Sequence, residues 1–451
     1  MRDMTEGRIV RPLLIFALPI LAGIVLQRLY NLFDTMLVGR FIDKSALAAV
    51  GSCGSVFGII LSTCHGFVSG FQIVISQYFG AKDSEKLKKS IAGTYLLAII
   101  IAILLSVFAL LFIEPILHLI KVPEEIFAQA KQYLGILSAG IVFTVCYNMF
   151  SGILRALGDS LLPLIFLFIS VILNGILDVV FIVILKQGVA GAASATVIAQ
   201  AVSAILCFIF SIKKRPVMKV RLSDFKIPPF IFKQLLSQGF AMFMMFTVVD
   251  IGSVILQAGI NSLGEDLIAG FTAGRKYLEL LMLPGGAFAS SAATFVSQNY
   301  GAKKYSRITK GIKYLVLISW AWAATAILIS SLFGYELVTS ITGKDVDQII
   351  IDSGLKYLRI GVPFFFTLFM LVIIRSSLQG IDHKKLPVFA SIIELAVKVT
   401  STFWLIPMMG FTAICFAEPI TWVLGTLWVT PPFIISMRKL IAEESAAATT
   451  E

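Results

Sequence analysis

Gln27, Asn31 and Asp34 recur at i, i+4 and i+7 inside one long apolar run, and Asn174 and Asp178 stand one helical turn apart inside another. At those spacings each set falls on a single helix face. A third apolar run offers Ser194 and Thr196 within Gly191-Ala192-Ala193-Ser194-Ala195-Thr196, small residues that let helices approach closely. Two carboxylates, an amide and a hydroxyl are hard oxygen donors suited to a small cation, and a carboxyl group in apolar surroundings also carries protons. Asp34, Asn174, Asp178 and Thr196 are therefore the expected coupling-ion site, for Na+ as the metal or for H+. Plainer readings remain open on residue types alone. Asp34 would cap a helix end or pair with an arginine, and Ser194 and Thr196 would only hold helices together.

The second half of the chain is organised differently. Asp250, Gln257 and Asn261 share a stripe, while Arg275 with Glu279 and Glu394 with Lys398 are spaced i, i+4, where opposite charges pair. Paired charges are cheaper to bury, so these four read equally well as structural ion pairs. Asp250 and Glu418 have no obvious partner nearby in sequence. Gln27, Asn31, Asp250, Glu279, Glu394 and Glu418 are candidates for a substrate cavity or for secondary protonation. Met242, Met244, Met245, Phe246 and Phe364-Phe365-Phe366 add adaptable apolar surface, although among 36 phenylalanines most must face lipid. His65, His118 and His383 are scattered, and the five cysteines lie in apolar runs at no metal-like spacing. No HExxH, CxxC or phosphate-cradling glycine loop occurs, so neither an enzyme nor an ATP-driven pump is expected, and no cofactor beyond the coupling ion.

The elements that must position these groups are membrane helices. The chain is 58% hydrophobic and 14% charged, whereas soluble chains are about 45–50% apolar and about 25% charged. Apolar runs long enough to span recur at 12–39, 46–78, 90–113, 128–155, 161–185, 188–212, 230–261, 267–299, 310–333, 352–379, 386–408 and 410–436. The short alternating segments of a transmembrane β-barrel are not what this sequence spells. The basic N-terminus leads into the first run without a small-residue cleavage pattern, so that run is expected to be a retained helix.

Basic residues concentrate on one side of this arrangement. Arg2, Arg8, Arg11, the Lys82–Lys89 loop, Arg155, the central loop from Lys213 to Lys233 and later segments bring about 24 to that side. About six fall opposite: Arg40, Lys44, Lys121, Lys131, Lys186 and Lys344. The rich side is expected to be cytoplasmic with both termini on it, and the net charge of +11 needs no nucleic-acid partner.

The halves repeat. Ser76-Gln77-Tyr78-Phe79-Gly80-Ala81-Lys82 returns 221 positions later as Ser297-Gln298-Asn299-Tyr300-Gly301-Ala302-Lys303. Arg155-Ala156-Leu157-Gly158-Asp159 with Pro163 lies opposite Gln379-Gly380-Ile381-Asp382-His383 with Pro387 at an offset of 224. The expected fold is an all-α polytopic membrane protein of twelve transmembrane helices. They form two parallel six-helix lobes around a central cavity: 1–218, a cytoplasmic loop at 219–229, and 230–451. The repeat fails at the chemistry, since Ile255, Lys398 and Thr402 stand opposite Asp34, Asn174 and Asp178.

Asp34-Thr35-Met36-Leu37-Val38-Gly39, Gln77-Tyr78-Phe79-Gly80-Ala81, Leu154-Arg155-Ala156-Leu157-Gly158-Asp159 and Asn174…Leu177-Asp178 resemble, in order, signatures of the multidrug and toxic compound extrusion (MATE) transporters. The resemblance implies alternating access and export of organic, often cationic, drug-like compounds driven by Na+ or H+. It implies a monomer in the cell membrane, with Asp34, Asn174, Asp178 and Thr196 at the coupling site. Asp250 would match an acidic residue that some members use, although Gln238-Gly239-Phe240 departs from the usual proline-bearing start. The alternative is a lipid-linked saccharide flippase of the same superfamily, against which the acidic first lobe and twelve helices argue.

Overall fold

Long, mostly apolar runs satisfy their own backbone hydrogen bonds as helices, and in hydrocarbon nothing else will satisfy them. The computed structural model describes residues 3–343 and 346–450, with side chains as far as Ala447; Arg2 and Lys344 of the charge asymmetry lie outside them. All regular elements among the described residues are helical. They are α1 (Val10–Phe41), α2 (Lys44–Gly80), α3 (Ser84–Leu111), a short α4 (Ile113–Leu119), α5 (Glu124–Ala139), α6 (Ile141–Ala156), α7 (Leu161–Asp178) and α8 (Gly188–Lys214). The series continues with α9 (Pro229–Asn261), α10 (Glu265–Gly301), α11 (Tyr305–Thr342), α12 (Gln348–Gly361), α13 (Phe365–Gly380), α14 (Lys385–Thr400), α15 (Ile406–Met409) and α16 (Phe411–Thr450). Among the described residues eleven spans are long and apolar enough to cross a membrane, or twelve when the bent pair α5–α6 is taken as one span.

Where a single helix was expected over 128–155, α5 and α6 meet at a 45° bend. Gly140 sits at the break, and a Cβ there would lie 2.3 Å from Val197 Cγ2 of α8. Close passage of α8 is what the missing side chain permits, and glycine is also a weak helix former. Pro363 divides the 352–379 run, since a proline lacks the N–H an unbroken helix needs there. Two further interruptions were not visible in the sequence. Wide π-helical turns extend α7 over Val179–Ile184 and α14 over Ser401–Leu405, at matching places in the two halves.

The repeated motifs close their helices identically. Lys82 and Lys303 both take left-handed backbone at φ 56°. Around them Lys82 N–H bonds to the Phe79 carbonyl and Asp83 N–H to Tyr78, while Lys303 bonds to Tyr300 and Lys304 to Asn299. The same double closure recurs at Gly158-Asp159 and at Asp382-His383. This is the Schellman cap, which satisfies the last carbonyls of a helix. Asp83 then starts α3 by accepting from Lys86 N–H at 3.0 Å.

The chain divides into two compact units, cut otherwise than at the central loop. The first takes Met1–Asp3 and Leu18–Phe243, the second Met4–Ala17 and Met244–Glu451. Each unit thus keeps the opening segment of the other half's first helix. In the first unit, Gly66 and Gly70 of α2 admit the backbone of α9; a Cβ on Gly70 would lie 2.5 Å from the Gln238 backbone. Tyr78 donates to Gln234 Oε1 at 2.7 Å, and Gln234 Nε2 donates to Gln77 Oε1 at 3.1 Å. In the second unit the corresponding Gln298 accepts from Met4 N–H at 3.0 Å. There Arg307 donates to the carbonyls of Met4, Glu6 and Gly7, and Lys304 to that of Thr5.

Gly70→Val should destabilise the protein by about 1–3 kcal/mol, because the new atoms meet backbone that cannot swing aside; thermal unfolding in detergent measures it. Asp83→Ala should cost about 1 kcal/mol at neutral pH through loss of the cap. The Lys86 ammonium bonded to Asp83 holds its carboxyl below the usual carboxylate range. That contribution is therefore present above the ordinary value and lost as pH falls through the folded one, so parent and variant should converge in acid.

Candidate functional site

Asp34, Asn174, Asp178 and Thr196 all lie in the first unit, brought together from α1, α7 and α8. Asp34 is 9% exposed, Asn174 2% and Asp178 0%. Asn174 sits one turn before Asp178 and, with its amide nitrogen turned to the carboxylate, donates to Asp178 Oδ2 at 2.8 Å. Its oxygen then accepts from the Thr196 backbone N–H at 3.1 Å, tying α7 to α8. Tyr30, one turn before Asp34, places its hydroxyl 3.1 Å from Thr196 Oγ1, tying α1 to the same point. Asp34 and Asp178 lie close enough to act on one another electrostatically.

What remains unanswered is one oxygen on each acid. Asp34 Oδ1 and Asp178 Oδ1 are buried without a hydrogen-bond partner. An unpartnered carboxylate oxygen in a low-dielectric interior is costly, and a second charge of the same sign nearby is worse. A cation or a proton taken up at the pair would relieve both penalties, so the chemistry of the donor set fits either guest. The Asn174 amide donates to Asp178, and the neutral hydroxyls of Thr196 and Tyr30 bond to each other nearby without adding negative charge. Among the described residues Asp34 forms no ion pair with an arginine and caps no helix.

Tyr30 was legible in the sequence, for it continues the stripe of Asp34 on α1, yet its type did not suggest an ion site. Tyr133 of α5 also faces the acid pair, near enough to Asp34 to interact through charge; nothing in its local sequence signals that. Gln27 and Asn31 share the stripe but are exposed, unlike Asp34. Tyr30 also borders a groove of about 630 Å³ between α1 and α7, otherwise lined by apolar residues such as Leu26, Phe33, Ile172 and Val180.

The other candidates stand in the second unit. Glu279 accepts from Arg275 Nε at 2.9 Å, and Glu418 accepts from Tyr357 at 3.2 Å. Asp250 is half-buried on α9, and Gln257 and Asn261 of its stripe bond to each other at 2.9 Å. Glu394 accepts from Lys398 Nζ at 2.9 Å. Met245 is an acceptor rather than free cavity lining: its sulfur takes bonds from Arg375 Nε and Gln379 Nε2, each at 3.0 Å. Among the described residues no three His, Cys, Asp or Glu side chains converge as a metal cluster.

The MatE family model matches residues 19–180 and 229–405. The probable multidrug resistance protein YpnP of Bacillus subtilis (strain 168) is 28% identical over 308 residues, 68% of each chain. The multidrug export protein MepA of Staphylococcus saprophyticus is 22% identical over 411 residues, 88% of each. Among solved structures, a multidrug resistance MATE family transporter of the MOP superfamily in its outward-facing conformation superposes with a TM-score of 0.89 at 21% identity, covering 97% of this chain and 98% of that one.

Tyr30→Phe removes the hydroxyl that joins α1 to Thr196 and should lower stability by about 1 kcal/mol. Thermal unfolding in detergent, with Phe33→Leu in the same helix as a packing control, measures the difference.

Proposed function

The chain belongs to the MatE family, and from that premise we propose that it is a secondary antiporter, exporting organic cationic amphiphiles in exchange for H+ or Na+ bound by Asp34, Asn174, Asp178 and Thr196. That it is a multispan transporter of the cell membrane follows from the family and its relatives. The exchange and its ion are our reading. The observation that supports them is the pair of buried acids in the first unit, each with an oxygen that no protein group answers.

The two acids repel while both are charged, and taking up one cation or proton relieves that repulsion and the cost of burial together. Asp34 sits on α1 and Asp178 at the start of the π turn that extends α7, a kind of turn common at functional sites. Loading the site therefore changes the forces on α1 directly. Exchange requires that ion and substrate favour different conformations; a guest with equal affinity for both would move nothing. The names of two relatives, a probable multidrug resistance protein (YpnP) and a multidrug export protein (MepA), support a small-molecule cargo. The excess of Lys and Arg in the loops on one side supports cytoplasmic termini, and a monomer is sufficient because the whole donor set lies in one chain.

In proteoliposomes loaded with a cationic dye, an imposed Na+ or H+ gradient should each be tested alone, and one should drive efflux. Asp34→Asn should reduce that efflux to background with the protein still folded and inserted. Wild-type transport by that variant would remove the site assignment, and movement of a fluorescent lipid-linked sugar without dye efflux would make the protein a flippase.

A further inference from the structure

The second unit repeats the first-unit scaffold at the ion site and fills it differently. Lys398 occupies the position of Asn174 at an offset of 224, and Thr402 that of Asp178. Both helices carry a π turn here: it follows Asp178 in the first unit and, in the second, follows Lys398 and includes Thr402. Thr402 Oγ1 donates to the carbonyl of Ile255 at 3.3 Å, so the positions opposite Asp178 and Asp34 meet here as well. Lys398 is 2% exposed, and its ammonium donates to Glu394 Oε1 at 2.9 Å and to Ser253 Oγ at 3.0 Å. Room has been made for it: a Cβ on Gly252 of α9 would lie 2.9 Å from Lys398 Cδ.

We propose that Lys398 is a built-in cation: its ammonium fills, in the second lobe, the place that the first lobe leaves for a mobile ion, so that this lobe takes no coupling ion of its own. The inference rests on the coupling-site reading of the first lobe. Glu394 supplies the carboxylate, as the acids do in the first lobe, and Ser253 a neutral oxygen. Arg375 does not substitute for the lysine. Its NH1 is 3.9 Å from Glu394 Oε2, and its other nitrogens are engaged by Ser391 and Met245. An i, i+4 ion pair placed only to neutralise itself would need neither the glycine opposite nor the bond to Ser253 on another helix.

Methylammonium carries the chemistry of the lysine head as a free ion and serves as the probe. The purified full chain in detergent is titrated with it, and the thermal unfolding midpoint is followed, since a ligand that binds only the folded state raises it by mass action. Lys398→Ala should unfold several degrees below the parent and regain part of the loss as methylammonium is added. Should Lys398→Ala not fold, Lys398→Asn, which places the first-lobe residue here, gives the same readout. The response should persist with Asp34→Asn and Asp178→Asn added and vanish with Glu394→Gln. A gain no larger than the parent's, or one abolished by the first-lobe changes, overturns the proposal. The coupling-site reading fails separately, by gradient-driven efflux that survives Asp34→Asn with Lys398 intact.

Discussion

A charge among membrane helices must be answered by another group, and that requirement organises both halves of this protein. Insertion of an Asp or Lys at a helix centre costs about 2.5–3.5 kcal/mol before any partner is found. In the second unit the protein supplies the partners itself, with Lys398 on Glu394 and Arg275 on Glu279. In the first unit Asp34 Oδ1 and Asp178 Oδ1 have no hydrogen-bond partner, while Asn174 and Tyr30 are both tied to Thr196 beside them. One scaffold thus carries acids whose charge is answered within the protein and, in the other half, acids each with an oxygen left unanswered.

Precise placement of so few polar groups depends on backbone that cannot drift. Glycines at Gly66, Gly70 and Gly140 let helices meet at distances a side chain would forbid. The paired caps at Lys82 and Lys303 end α2 and α10 at corresponding points, fixing where the next helix begins. The glutamines of the repeated Ser-Gln motif serve this geometry. Gln77 and Gln298 spend their amides on the opening segments of α9 and of the N-terminal arm.

Much of this was legible in the sequence, for reasons specific to a membrane protein. Hydrocarbon permits few alternatives to helix, so the apolar runs locate the spans, and the cost of burying acids makes Asp34 and Asp178 conspicuous. The partners of these acids were only half visible. Asn174 shares a helix face with Asp178, whereas Tyr133 arrives from a different helix through tertiary packing that no periodicity encodes. The π turns were invisible because one extra residue in a helical turn leaves the composition of the run unchanged. Gly140 likewise reads as one more small residue in an apolar stretch until the position of Val197 is known. The division between units escaped the sequence for a similar reason: α1 and α9 are each continuous helices, and no loop marks where one unit's share ends.

That division has a consequence for synthesis. Met4 to Gly7 find their hydrogen-bonding partners at Gln298, Asn299, Lys304 and Arg307. At about 5–20 residues per second, translation delivers those partners on the order of tens of seconds after the arm has left the ribosome. Through that interval the first helix stands in the bilayer with its leading end unattached, and the first unit likewise lacks its share of α9 until that helix is made. The opening segment therefore gains its partners only once α10 and the start of α11 have been made.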